Sequence, residues 1–337
     1  MFKIGILGCG YWGKNYIRIF SRFKESKVVS ICDKNGEIVS EISREYPAIP
    51  VFQNYHDMLN SVQMNAIVIA TPPSMHFQHA SQALESGLDV LLEKPMTLNH
   101  IDGENLVSLA EKNQKILMVG YTFIYNDAIH AMKSYLDSQE IGDIYYLHAR
   151  RTHLGLIRPD VNTMWDLAPH DISIFVYLLN KYPERVNAVG KEYLLKNRID
   201  VAFINLYFPG NILGNIHVSW LDSAKVREVA VVGSKMRLVF DDLNNLEKLK
   251  IYKKGVSVDR RVDDFGEFQF LLRDGDIISP KLNLNEPLKN QCSHFLECLR
   301  TRNKPITDGR LGVEITRICE AIDLSIQQHG HPVELVH

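Results

Sequence analysis

Over the first third of the chain, short apolar runs alternate with segments whose apolar residues recur every three to four positions. The runs Lys3–Leu7, Lys27–Cys32, Ala66–Ala70, Asp89–Leu92 and Ile116–Val119 read as strands. Helical patterns lie between them, near Tyr11–Phe23, Glu37–Tyr46, Ser74–Ser86 and Ile101–Asn113. Strands that alternate with helices predict right-handed βαβ units and a parallel, doubly wound sheet.

The pattern changes after Gly120. A helix near Asn126–Ser138 leads into longer runs of alternating character: Ile144–Arg151, Val186–Leu194, Val201–Phe208, Leu213–Trp220, Arg227–Val232 and Met236–Phe240. These predict a large, mostly antiparallel sheet. One helix, about Asp166–Asn180, interrupts it, and two more, about Leu288–Arg300 and Arg310–Gln328, close the chain. The expectation is an α/β protein of two domains, residues 1–122 and 123–337. The second is α+β, and no Gly/Ser linker separates it from the first.

Composition agrees with two domains, because 337 residues exceed one core of ordinary size. The formal charge of −2 includes no basic patch for nucleic acid and no acidic tail. No apolar run reaches the length of a membrane span. The start, Met1-Phe2-Lys3-Ile4-Gly5-Ile6-Leu7, enters strand-like sequence directly, without a signal-peptide cleavage region. Cys9, Cys32, Cys292, Cys298 and Cys319 are scattered and odd in number. They suggest reduced thiols in a cytoplasm, rather than a disulfide framework or a zinc site.

Candidate chemistry begins at Gly8-Cys9-Gly10-Tyr11-Trp12-Gly13. This Gly-x-Gly-x-x-Gly follows a strand and opens a helix. An acid, Asp33, stands twenty residues beyond Gly13 at the end of the next strand. That context identifies a Rossmann dinucleotide site. Gly8 and Gly10 allow the tight turn and the approach of pyrophosphate, and Gly13 lets the helix pack on the strand. Tyr11 and Trp12, which flank the turn, are cofactor-contact candidates, as are Glu93 and Lys94 further along the chain. Asp33 would accept from the ribose hydroxyls and repel a 2′-phosphate, which favours NAD over NADP; Lys34 weakens that preference slightly. Thr71 and Pro72, ending another strand on the same edge, are cofactor-contact candidates. His76, at the start of the following helix, either faces the same crevice or is structural.

Glu93-Lys94-Pro95 follows the buried run Asp89–Leu92. A lysine just past a strand end points toward the ligand crevice of an open α/β sheet. In the second domain, Asp166 and His170 stand four apart, so on a helix they share a face. Pro169 is tolerated in a first helical turn, which places both residues at a helix N-terminus near the domain interface. Oxidising an alcohol needs a base for the hydroxyl proton; histidine suits this, a carboxylate can orient it, and Lys94 can stabilise charge on the oxygen. The plainer alternatives are a helix cap for Asp166 and a core position for His170. A metal reading lacks a third ligand at suitable spacing.

Gly8–Gly13, Glu93-Lys94-Pro95 and Asp166-x-x-x-His170, in this order and at these separations, resemble the Gfo/Idh/MocA oxidoreductases. The resemblance spans nearly the whole chain, including Lys304-Pro305-Ile306 before the last helix. It implies Lys94 and His170 as the catalytic pair, without deciding which accepts the proton, and Asp166 as a substrate-binding or orienting partner. It also implies a sheet face that mediates homodimers or homotetramers. Many members have a glycine-rich lead-in to the last motif, where this chain has Asn162-Thr163-Met164-Trp165. That lead-in, with Gly10-Tyr11-Trp12-Gly13-Lys14-Asn15, is similar to the branch acting on nucleotide-linked amino sugars. Members of that branch oxidise the sugar C3 hydroxyl. Trp165 would then pack on the nicotinamide or the sugar, or simply fill the domain interface.

For an anionic substrate the candidates are Arg151 and Arg158, since guanidinium forks suit pyrophosphate and carboxylate. Tyr121 and Asn126 are candidates for sugar hydroxyls, or pack and cap the following helix. The leading expectation is an NAD-dependent dehydrogenase of a UDP-linked N-acetylhexosamine or its uronate. A free polyol or inositol dehydrogenase, an NAD-assisted glycosidase and a non-catalytic dinucleotide sensor are the alternatives.

Overall fold

The computed structural model describes residues 1–155, 157–158, 160–258, 270–283 and 285–337. The chain divides into two compact units. The first comprises Met1–Thr122 and Glu286–Arg317, the second Phe123–Asn285 and Ile318–His337. The chain enters the second unit at Phe123 and returns to the first at Glu286, so residues 123–337 are not one contiguous domain.

The first unit runs β1 (Phe2–Leu7), α1 (Tyr11–Phe20), β2 (Ser26–Cys32), α2 (Gly36–Glu45), β3 (Val51–Phe52), α3 (Tyr55–Ser61), β4 (Ala66–Ile69), α4 (His76–Glu85), β5 (Asp89–Leu92), α5 (His100–Lys112) and β6 (Leu117–Val119). Six parallel strands lie in the order β3-β2-β1-β4-β5-β6. This is the Rossmann order, and the ligand crevice lies at the carboxyl edge where it reverses, between β1 and β4. Every residue of β4 and β5 is buried, as expected for strands covered on both faces. Side chains of Asn35, Asn54 and Asn99 cap α2, α3 and α5.

The second unit contains α6 (Asp127–Asp137), β7 (Ile144–Leu154), α7 (Thr163–Leu179), β8 (Arg185–Lys191), β9 (Val201–Phe208), β10 (Ile212–Ser219), β11 (Leu221–Gly233), β12 (Arg237–Asp241), β13 (Leu249–Tyr252), β14 (Gly255–Val258), β15 (Phe270–Arg273) and β16 (Ile277–Ile278). In chain order there follow α8 (Pro287–Thr301), which belongs to the first unit, α9 (Gly309–Gln327), which is divided between the two units after Arg317, and β17 (Val333–Glu334) of the second. Nine strands form one sheet in the order β16-β13-β12-β11-β7-β10-β9-β8-β17, and β14 pairs with β15 separately. The nine-stranded sheet is mixed: β7 and β10 are parallel, and the other neighbours antiparallel.

α7 packs on one face of this sheet. Gly214 on β10 permits its close approach, since a Cβ there would stand 3.0 Å from the Phe175 ring. The opposite face keeps Tyr146, Val189, Phe203 and Leu213 between 40 and 51 % exposed. On that face the rings of Phe203 and His217 stack at 4.3 Å. Among the described residues, no helix is long and apolar enough to cross a membrane.

Candidate active site

The glycine turn divides its labour. Gly8 has φ +87°, and a Cβ there would meet the Ala70 backbone at 2.7 Å. A Cβ on Gly13 would stand 1.8 Å from the Gly8 carbonyl oxygen. Both positions therefore exclude side chains for packing reasons. At Gly10 a Cβ would meet nothing within 4 Å. Gly10 is also the N-cap of α1; no side chain caps this end and no acid lies in the first turn. The N–H groups of Tyr11, Trp12 and Gly13 precede the first intrahelical bond, from Lys14 N to Gly10 O at 3.1 Å. An uncapped helix start facing open space suits a pyrophosphate. Tyr11 and Trp12 stand exposed beside it, their rings edge to face at 5.3 Å.

Asp33 lies just past the end of β2. The Cys9 N–H donates to its Oδ2 at 2.6 Å, and the Asn35 N–H donates to its Oδ1 at 2.9 Å. The carboxylate thus ties the glycine turn to the next strand, and each oxygen keeps a lone pair for a ribose hydroxyl. These residues fit a dinucleotide.

At the end of β4, Pro72 is exposed and Thr71 half-buried. Thr71 is held at two atoms by α4. Its hydroxyl lies 3.1 Å from His79 Nδ1, and its carbonyl oxygen 2.8 Å from His76 Nε2. His76 Nδ1 lies 2.8 Å from the carbonyl oxygen of Pro95. This corrects the expectation for His76. It starts α4 as anticipated, but its ring is fully buried with a main-chain carbonyl of the β4 loop at one nitrogen and of the β5 loop at the other, so the neutral ring donates to one of them and neither nitrogen is left for a cofactor. Burial pushes its pKa down to about 4, against the opposing pull of those carbonyls.

Glu93 and Lys94 follow β5, each less than a tenth exposed, and the Lys94–Pro95 bond is cis. Tyr16 donates its hydroxyl proton to Glu93 Oε1 at 2.7 Å, and the Lys94 N–H donates to Oε2 at 3.2 Å. Glu93 is therefore packed into the first unit beneath the loop that carries the lysine. Tyr121, two residues past β6, is fully buried.

In the second unit, Asn162 caps α7 by accepting from the Trp165 N–H at 2.9 Å. The helix starts at Thr163 rather than Asp166. Asp166 lies in the first turn as expected, but Pro169 is the seventh residue, inside the helix. The earlier cap is the reason, since it nucleates a turn upstream of the expected start. Asp166 and His170 keep their shared face. The His170 ring is edge-on to Phe123 at 4.9 Å, and the Arg151 guanidinium lies over the same Phe123 ring at 4.2 Å.

Arg151 differs from the expected open fork. It is buried, with Nε and Nη2 both on Asp171, at 3.0 and 2.7 Å. Arg158 bonds Asp160 through Nε and Nη2 and Asp166 through Nη1 at 3.2 Å, which makes it the neighbour of the proposed orienting carboxylate. Burial works against its charge, but Asp160 and Asp166 raise its pKa overall. Trp165 is buried, and its indole N–H donates to Asp323 on α9 at 2.5 Å. Asn126 caps α6 through the Ala128 N–H at 3.0 Å. Sequence reasoning missed Tyr16, His79 and Phe123, which lie outside any motif. Only their partners in space mark them.

A parallel sheet in this order, with a glycine turn at its reversal point and an acid after the second strand, defines an NAD-binding Rossmann oxidoreductase. The chain belongs to the Gfo/Idh/MocA family: residues 2–121 match the family's oxidoreductase, NAD-binding Rossmann domain, and residues 129–239 its C-terminal domain. UDP-N-acetylglucosamine 3-dehydrogenase of Acidithiobacillus ferrooxidans is 26 % identical over 75 % of this chain and 77 % of that protein. A solved structure of GnnA, the enzyme of that name and organism, has a TM-score of 0.82 at 22 % identity, covering 97 % of this chain and 98 % of that one. The WlbA dehydrogenase of Bordetella pertussis, solved with NADH and UDP-GlcNAcA, has a TM-score of 0.81 at 20 % identity over 100 and 99 % of the two chains. Inositol 2-dehydrogenase of Salmonella typhimurium is 25 % identical over 53 % of this chain and 55 % of that protein.

Proposed function

We propose that this enzyme oxidises the C3 hydroxyl of a UDP-linked N-acetylated amino sugar, or of its uronate. The observation that carries the reaction type is Lys94 at the carboxyl edge of β5, on the sheet whose β1 opens into the uncapped glycine turn. NAD, when bound, supplies the hydride acceptor. Gly8, Gly10 and Gly13 with the start of α1 would hold its pyrophosphate, Asp33 its adenosine ribose, and Thr71 and Pro72 would line its path. The Asp33 carboxylate disfavours a 2′-phosphate, and so favours NAD over NADP.

The reading assigns His170 to take the hydroxyl proton on a ring nitrogen. Asp166 orients that ring or the substrate, and Lys94 hydrogen-bonds the reacting oxygen and stabilises its developing charge. It requires one substrate oxygen to meet both Lys94 and His170. The choice of sugar nucleotide is supported by the two similar dehydrogenases named for UDP-N-acetylglucosamine or solved with UDP-GlcNAcA. Arg158, Tyr121, Asn126 and Trp165 are the candidates that would shape this substrate's site. A free-polyol reading is supported by the inositol relative over a shorter span.

The test is NADH formation on UDP-N-acetylglucosamine, its uronate, free N-acetylglucosamine and inositol. Turnover confined to inositol overturns the sugar-nucleotide reading. Lys94→Ala and His170→Ala should each lower turnover at least a hundredfold with NAD affinity nearly unchanged. The apolar open sheet face further suggests a homodimer or homotetramer. Phe203→Glu should reduce the oligomer measured by analytical ultracentrifugation. The five buried thiols, none of them in a disulfide among the described residues, fit a cytoplasmic enzyme.

A further inference from the structure

Beneath the Lys94 loop runs a chain of side chains from four separate parts of the sequence, buried except at its half-buried end, Thr122. The Thr122 hydroxyl donates to Gln291 Oε1 at 2.7 Å, and Gln291 Nε2 donates to the Tyr16 hydroxyl at 2.9 Å. Tyr16 in turn donates to Glu93 Oε1 at 2.7 Å. Tyr16 and Gln291 are fully buried, and Glu93 is 6 % exposed. Tyr16 lies on α1, one turn past Gly13; Gln291 lies on α8, in the segment that returns to the first unit.

The order of donors has a chemical consequence. A side-chain amide nitrogen only donates, so the Tyr16 oxygen accepts from Gln291 and its single proton goes to Glu93. The other carboxyl oxygen, Oε2, accepts the Lys94 N–H. Both oxygens of Glu93 therefore accept, which is the bonding pattern of a carboxylate. With the Gln291 amide turned over, Tyr16 would donate to it instead, and Glu93 would need its own proton to bond Tyr16. Gly120 packs against the same carboxyl group, since a Cβ there would stand 3.2 Å from Oε1. Tyr16 from α1 and Cys292 from α8 are titratable groups that interact with Glu93, and Lys94 is its neighbour in the chain.

We propose that Tyr16, Gln291 and Thr122 are positioning residues: a one-way chain of donors that holds Glu93 as a carboxylate, and through it the main chain that presents Lys94. The catalytic consequence rests on the reading of Lys94 given above. None of the three touches the reacting atoms. Their effect is transmitted through the Glu93 carboxylate to the Lys94 main chain, and a hydrogen bond to a buried charge is strong enough to matter there.

Two measurements test this. The first needs no substrate. In carboxyl-labelled protein, with Glu93→Gln assigning the signal, Glu93 should be ionised at neutral pH by carbon NMR. In Tyr16→Phe it should take up its proton at higher pH. A protonated Glu93 in the wild type, or an unchanged titration in Tyr16→Phe, overturns the proposal. The second is a kinetic cycle on whichever probe of the panel above is turned over. Tyr16→Phe should lower kcat about tenfold or more with NAD affinity within about twofold. Added to Glu93→Gln it should cost little further, because both break one chain. Independent, multiplying losses overturn the proposal. Lys94→Ala separates the two levels: full activity in that variant rejects the catalytic reading, whereas its loss beside a normal Tyr16→Phe rejects only the positioning chain.

Discussion

Arg151 holds Asp171 through two hydrogen bonds, from Nε at 3.0 Å and from Nη2 at 2.7 Å, and neither side chain is more than 5 % exposed. The pair joins β7 to α7 one residue past His170, and the same guanidinium covers the Phe123 ring that the His170 ring meets. Breaking a buried pair leaves one charge uncompensated. Asp171→Ala should therefore lower unfolding free energy by about 3–5 kcal/mol in urea titrations. Glu111→Ala, which breaks the exposed Arg310 pair, should change it far less, because solvent screens that pair. Equal costs would show that Arg151 is not the buried anchor described.

The three glycines of the turn should respond differently to alanine. Gly13→Ala places a methyl group 1.8 Å from a carbonyl oxygen, and Gly8→Ala adds a backbone clash at φ +87°. Both should lower the melting temperature, each by about 1–3 kcal/mol in stability. Gly10→Ala meets nothing in the protein, so the fold should survive while NAD binding, measured calorimetrically, weakens about tenfold or more. Unchanged NAD affinity in Gly10→Ala would remove the pyrophosphate from that space.

Stability should fall in acid through His76. Its folded pKa is pushed from 6.5 to about 4, chiefly by burial. As pH drops below 6.5, the unfolded chain binds the proton first. The stabilisation is therefore complete above about 6.5, and is lost between there and about 4. The amount is about 3 kcal/mol at most. Urea titrations across that range should show the wild type losing its advantage over His76→Gln as pH falls; a constant difference would contradict the shift.

The thiols should be inert in the native protein. All five are buried, and burial, with Asp33 nearby, pushes Cys9 and Cys32 up to about 12. The thiolate is the reactive form. A thiol-disulfide reagent at neutral pH should show no fast phase, and all five thiols should appear on adding denaturant. A rapid equivalent from Cys9 would mean that the glycine turn opens.

Several elements were legible because their environment is simple. β4, β5 and β6 are buried along their whole length, so they read as short, mostly apolar runs. The regular alternation of β9 reflects one covered face and one open face. β3 and α3 were missed. A two-residue strand has no period to detect, and its pairing with β2 is a tertiary event. β11 begins at Leu221 rather than Arg227, because its polar first half pairs irregularly with β7. The parallel register of β7 and β10 left no mark in the alternation, since strands of either direction place every second residue on one face.

The site divides in the same way. The placement of the glycine turn, Asp33, Lys94, Asp166 and His170 on a turn, a strand end or a helix face was readable because each depends on a local arrangement, and their roles belong to the proposal above. Other roles were decided at long range. His76 became a buried ring packed between two loops, Arg151 a buried anchor on Asp171, and Gln291 the partner of a tyrosine 275 positions away. Spacing along a chain specifies backbone conformation and the side a residue faces. Which partner satisfies a buried donor or charge depends on segments brought together by folding, and only the folded chain contains those contacts.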